Sequence, residues 1–294
     1  LNLNKIKLLI LKRPERLSKY RNFLIKNLKK KQDEIESSNA PLIEHLTELR
    51  SRLILSVVAF LICMVCVFPF SKYIFNFLAM PITELLAVQN QANDLIFTGL
   101  QQGFMVNVKI SFFGGFIVSF PFVGFQIWRF IAPGLYKKEK LAFLPFLIAS
   151  PLLFIIGAAF AYFVVLPLAF NFFLSFQNTS DLNNLVGIKY LGTINEYLSL
   201  TMRFILAFGI CFQLPVLLTL MGKAGLVSSV SLIRIRKYAI VSILIIAAIV
   251  TPPDVITQII LFSVVYSLYE ISILLVKLVE KKKEEALQQM DENI

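Results

Sequence analysis

Residues 44–70 read EHLTELRSRLILSVVAFLICMVCVFPF, and the stretch changes solvent after Arg52. From Leu53 to Phe70 it carries no charge. A run of that length approaches the roughly 20 helical residues that cross a bilayer core of about 30 Å, so it predicts a membrane-spanning helix. Ahead of it, Leu42, Leu46, Leu49 and Leu53 recur at helical spacing as one apolar stripe, while Glu44, Glu48 and Arg52 share another face. With Pro41 suited to a helix start, this predicts an amphipathic helix lying at the membrane interface and feeding the first span.

The rest of the chain repeats that change of solvent. Of 294 residues, 57% are apolar and only 16% charged, with mean hydropathy +0.75. Soluble domains run nearer about 45–50% apolar and about 25% charged, so the composition excludes an ordinary soluble domain. Six hydrophobic segments are expected, at about 53–70, 106–128, 141–166, 197–220, 238–250 and 255–276. The fifth is short for a complete span. The sequence TPPD (251–254) joins it to the sixth, with Asp254 placed to cap the following helix. The fold class is therefore an all-α integral membrane protein of six transmembrane helices, the last two short, forming a concave bundle that is thin on one side. A basic, unstructured tail over 1–40, a six-helix membrane domain over 41–280 and a charged tail over 281–294 complete the organisation.

Charge sets the orientation. Thirteen Lys or Arg precede residue 53, and the loops at 129–140 and 221–237 and the C-terminal tail carry four each. These are 25 of the 29 basic residues, all on one side of a six-crossing chain, so the positive-inside rule predicts both termini in the cytoplasm. The basic run KNLKKK (26–31) fits attraction to anionic lipid, and no folded basic module suggests nucleic acid as a partner.

Little catalytic chemistry is written here. There is one histidine, His45, and no GxSxG, HExxH or P-loop occurs, so neither an enzyme nor a cofactor is expected. Cys63 and Cys66 form a CxxC among aliphatic neighbours with no second ligand pair, which reads as packing rather than as a metal site. Intramembrane polar residues remain the functional candidates. Lys109 and Arg203 can snorkel outward, and Glu270 can reach headgroups or Lys277. Gln213, two residues before Pro215, either bonds backbone carbonyls that the proline frees or provides a polar foothold in a lipid-facing cavity. On the cytoplasmic side, Glu48 either pairs with Arg52 at i, i+4 or captures a cationic partner, above all guanidinium, whose planar fork matches a carboxylate. Glu139, alone among Lys137, Lys138 and Lys140, invites the same reading.

EHLTELRSRL (44–53), FQIWRFIAPGLYKKEK (125–140), FAYFVVLPLAFNFF (160–173), NEYLSLTMRFILAFGICFQLP (195–215) and IVTPPD (249–254) stand in an order and spacing that resemble TatC, the polytopic subunit of the twin-arginine protein translocase. The resemblance runs from about Pro41 to Lys283 and looks most like alphaproteobacterial versions. It implies a bacterial inner-membrane receptor for twin-arginine signal peptides. Such a receptor works in a larger oligomeric complex with the single-span partners TatA and TatB, exporting folded proteins with the proton-motive force. Residue by residue, it implies that Glu48 and Glu139 hold the arginine pair, with Phe130 and Arg50 in the same recognition patch. It gives Gln213, Pro81 and Asp254 roles toward partner helices and the outer side. Many members carry Glu where this chain has Gln213, so a proton-dependent role there would be lost while hydrogen bonding to a partner helix survives. A small-solute or ion secondary transporter is the alternative, although no inverted repeat supports it.

Overall fold

The structure, a computed structural model, describes residues 46–88, 95–131, 140–177, 190–252 and 254–291. The basic tail 1–40, His45 and Glu139 lie outside the described residues. Two compact units divide the chain, Leu1–Ile54 and Leu55–Ile294.

The described residues are almost entirely helical, as a lipid solvent requires, because a helix satisfies its own backbone polar groups. Helix α1 covers 46–67 and ends in a 3₁₀ turn, Phe68–Phe70, where Pro69 breaks the pattern. Helix α2, Ser71–Val88, follows directly and keeps Pro81 in its interior. Helix α3 is Gln102–Ile131 and helix α4 is Lys140–Phe160. A π turn, Ala161–Val165, joins α4 to α5, Leu166–Leu174. The turn precedes Pro167, which cannot donate to the carbonyl of Phe163, and the Leu166 N–H bonds Ala161 instead. Helices α6, Ile194–Cys211, and α7, Leu214–Lys223, meet at Phe212–Gln213, ahead of Pro215. Gly225, at φ 74°, ends α7: its N–H bonds the Gly222 carbonyl and that of Leu226 bonds Met221, a left-handed cap that costs a glycine least. Ser228 and Ser231 cap each other to start α8, Ser229–Arg234, and helices α9, Arg236–Val250, and α10, Val255–Asp291, complete the chain. Among the described residues the one β feature is an isolated bridge between Ile96 and Thr193.

Among the described residues, five helical stretches are long and apolar enough to cross a membrane: Leu46–Val88, Gln102–Phe130, Pro145–Leu174, Ile194–Lys223 and Val255–Glu285. The all-α membrane architecture is as expected. The fifth hydrophobic segment is α9, whose 15 residues rise only about 22 Å and fall short of a bilayer core. The expectation of a short final helix is corrected, because α10 runs for 37 residues. Beyond the apolar face, EKKKEEALQQM (280–290) consists of strong helix formers, and the Glu280 carboxylate accepts the backbone N–H of Ser229 at 3.0 Å and its hydroxyl as well. The first segment was also read too simply: apolar chain continues past the 3₁₀ turn into α2, an element the periodicity did not announce.

The core lies among α2, α3, α6 and the π turn, with Leu78, Ile82, Ile110, Leu166, Phe204 and Phe208 essentially sealed. Glycines set the closest approaches, as membrane interfaces favour. A Cβ at Gly157 would stand 2.7 Å from the Phe208 carbonyl oxygen, and one at Gly209 2.6 Å from the Phe154 ring, so α4 and α6 touch through paired notches. A Cβ at Gly115 would stand 2.7 Å from the Cα of Met64 on α1.

Candidate functional site

The expected site residues fall into separate neighbourhoods. In the first unit, Arg52 donates Nε at 3.0 Å, and Nη2 as well, to Oε1 of Glu48. The alternative of an i, i+4 pair is thus what the helix makes, and it is worth about 0.3–0.5 kcal/mol. The Glu48 side chain nevertheless keeps 39% of its surface exposed. Arg50 is exposed on another side of the helix. In the second unit Phe130 is half-buried near the end of α3, two residues after the buried Trp128.

Gln213 sits in the break between α6 and α7, half-buried. Its Nε2 donates to the Ser150 carbonyl at 2.9 Å, and its Oε1 accepts from the Ser150 hydroxyl at 2.6 Å. That hydroxyl in turn accepts Trp128 Nε1–H at 2.9 Å. Three membrane segments are pinned by one serine that is 1% exposed. The acceptor differs from the one foreseen: Pro215 frees the carbonyl of Cys211, four residues back, whereas the amide reaches across to α4.

Pro81 has the opposite arrangement, in which the freed carbonyl is the one that finds a partner. A proline at 81 leaves the Phe77 carbonyl without its helical donor. The Tyr162 hydroxyl, from the π turn, donates to it at 2.6 Å, and Tyr197 on α6 donates to the neighbouring Leu78 carbonyl at 2.5 Å. The Tyr162 ring also stacks on Phe77, with centroids 4.5 Å apart. The broken stretch of α2 is therefore bound to two other elements. Asp254 caps α10 as expected, its two carboxylate oxygens accepting the Thr257 N–H at 2.7 Å and the Thr257 hydroxyl at 2.6 Å.

Two charged groups behave differently from expectation or find unexpected partners. Glu270 pairs not with Lys277 but with Arg236, at 2.7 Å, and accepts the Tyr266 hydroxyl at 2.8 Å. This ties α9 to α10. Lys109 is exposed, as snorkelling predicts, and donates to Asn195 Oδ1 at 2.5 Å. Cys63, Cys66 and Cys211 are free thiols.

Sequence reasoning missed Ser150, Trp128, Tyr162 and Tyr197. Trp128 carried a signal, being the single tryptophan of the chain, with an indole N–H that needs an acceptor when buried. Pro81 carried another, since an interior proline always leaves a carbonyl to be satisfied.

This architecture defines a multi-span helical membrane protein whose described intramembrane polar groups brace one helix against another. Comparison with known proteins gives the class its family. The family described as Sec-independent protein translocase protein (TatC) matches residues 44–263. The Sec-independent protein translocase protein TatC of Magnetococcus marinus is 46% identical over 246 residues, covering 84% of this chain and 87% of that protein. The Escherichia coli protein of the same name is 37% identical over 233 residues, covering 79% and 86%. A crystal structure of the twin arginine translocase receptor TatC superposes with a TM-score of 0.69 at 43% identity, covering 80% of this chain and 99% of that one. The chain belongs to the TatC family. It is a component of the Tat protein translocase and not an enzyme.

Proposed function

We propose that the chain is the signal-peptide receptor of its translocase. In this reading Glu48 and Glu139 hold the two guanidinium groups of a twin-arginine signal, with Phe130 and Arg50 in the same patch. Charge-assisted hydrogen bonds of this kind are worth about 1.5–3 kcal/mol each. The observation that carries the reading is that Glu48 already binds a guanidinium, that of Arg52, on a side chain that keeps 39% of its surface exposed. The i, i+4 pair with Arg52, worth only a few tenths of a kcal/mol, is weak competition for an incoming arginine. Lysine lacks the planar fork and would bind more weakly.

In the same reading both termini are cytoplasmic and the protein sits in the bacterial inner membrane, consistent with the one-sided distribution of Lys and Arg. Gln213, Pro81 and Asp254 serve the partners TatA and TatB, and the short α9 leaves a thinned wall for them. Several copies assemble, because a bundle of this size cannot enclose a folded cargo, and the proton-motive force drives transport. Binding of a labelled twin-arginine peptide to the protein in vesicles tests the core of this proposal. Affinity should fall on Glu48→Gln and further on adding Glu139→Gln. Unchanged affinity in the double variant refutes the site, and loss of binding in a Lys-Lys peptide supports the guanidinium fork.

A further inference from the structure

An apolar groove of about 350 Å³ opens on the second unit beside the Tyr162–Phe77 brace, and none of Glu48, Phe130, Gln213 and Asp254 lines it. Val67 at the end of α1, Phe77 on α2, Gly114 and Val118 on α3, Ala158 on α4 and Phe163 in the π turn all line it. Glycine and alanine leave the space, and the Gly114 notch cannot be filled from its own helix, since a Cβ there would stand 2.8 Å from Val67. The one polar atom of the Tyr162 side chain is spent on the Phe77 carbonyl. Val118 and Phe163, at 60% and 68% exposure, form an open rim on a membrane-spanning surface.

Such a space holds no ordered water, which needs polar partners, and an empty one forfeits contacts along its whole lining. A helix, about 10 Å across, is too wide for it. An acyl chain is not. Between the lining residues Val67 and Ile74 in the chain, the 3₁₀ turn and the start of α2 present Phe70 and Tyr73, 60% and 75% exposed, with Lys72 between them. Aromatic rings and a lysine next to the end of an apolar run are the residues that sit at headgroup level. Among the described residues, Lys72 has no hydrogen-bond or ion-pair partner, and it follows Val67 by five positions and precedes Ile74, also a lining residue, by two.

We propose that this groove binds one acyl chain of an anionic phospholipid, in the leaflet that contains the carboxyl end of α1, with the lipid phosphate against Lys72. The site is separate from the signal-peptide reading and does not depend on it. The test uses the full chain in phosphatidylethanolamine and phosphatidylglycerol vesicles doped with phosphatidylglycerol carrying a diazirine in mid-chain. Adducts are mapped by mass spectrometry after illumination. Labelling at Ile155 and Phe163 is expected to exceed that at Val65 and Ile259, exposed apolar positions outside the groove, several-fold. Ala158→Trp, which fills the groove, should abolish the excess. Val118→Trp, which closes the rim without burying new volume, should do the same even if the first variant folds poorly. A phosphatidylcholine probe should label less, and Lys72→Gln should remove that difference between probes. Even labelling over all exposed apolar positions overturns the proposal, as does an excess that survives both tryptophan variants or shows no headgroup preference.

Discussion

Removing the hydroxyl of Ser150 tests whether the polar bridge between spans is energetically coupled. Ser150→Ala leaves no cavity of consequence but strips two hydrogen bonds at once, the 2.9 Å bond from Trp128 and the 2.6 Å bond to Gln213. Side-chain hydrogen bonds inside membrane proteins average about 0.6 kcal/mol and reach about 1.7 kcal/mol, and a buried donor left unpaired costs about 1–3 kcal/mol. Trp128 is 6% exposed, so its indole N–H has no route to water, and the variant should lose about 1–3 kcal/mol. Gln213→Leu forfeits the bond to the hydroxyl and the one to the Ser150 carbonyl, about 1 kcal/mol in sum on the same scale. Because the two variants share one bond, the double variant should be less damaged than their sum by about 0.6–1.7 kcal/mol. Unfolding in mixed micelles of dodecyl maltoside with increasing sodium dodecyl sulfate measures all four corners of the cycle. Trp128 is the chain's single tryptophan, so its emission reports on the bridge directly. Additivity within about 0.3 kcal/mol, or an emission maximum indifferent to Ser150→Ala, refutes the coupling.

Other consequences follow from the same geometry. Tyr162→Phe and Tyr197→Phe should each cost about 0.6–1.7 kcal/mol and speed amide exchange across α2 around Phe77 and Leu78, and no change in exchange would show that Pro81 needs no brace. Gly157→Ala should destabilise by about 1–3 kcal/mol, because its methyl meets backbone at 2.7 Å, while Gly124→Ala, whose nearest neighbour would be 3.7 Å away, should be neutral in the same unfolding assay. Asp254→Ala should cost about 0.5–2 kcal/mol through loss of the α10 cap, and Asp254→Asn should recover most of it.

Hydrophobic run lengths made most of this architecture legible, because a helix in lipid needs only length and apolarity. Asp254 as a cap and the shortness of α9 were readable for a related reason: both are local, decided by neighbours in sequence. What stayed hidden depends on partners far along the chain. Gln213 was recognised as costly to bury, but its partners lie 63 residues away on α4, a register no periodicity reveals. For Glu270 the sequence offers headgroups or Lys277, two turns on, yet its partner is Arg236, 34 residues earlier, because the two helices that carry them run side by side. Helix α2 escaped notice since its proline reads as a breaker, and only the hydroxyls of two distant tyrosines make that proline affordable. The pairing of Glu48 with Arg52 was legible in outline because it is local, whereas what Glu48 binds in trans is a matter for peptide titration.

The reach of α10 has a consequence for anything that approaches the protein from water. At about 1.5 Å per residue its 37 residues measure about 55 Å, against an oily layer of about 30 Å. More than a third of the rod must therefore stand clear of the lipid as a charged mast. Glu280 moors its base to Ser229, so the mast cannot swing freely, and an arriving soluble particle meets a fixed post at the membrane's edge before it meets the bundle.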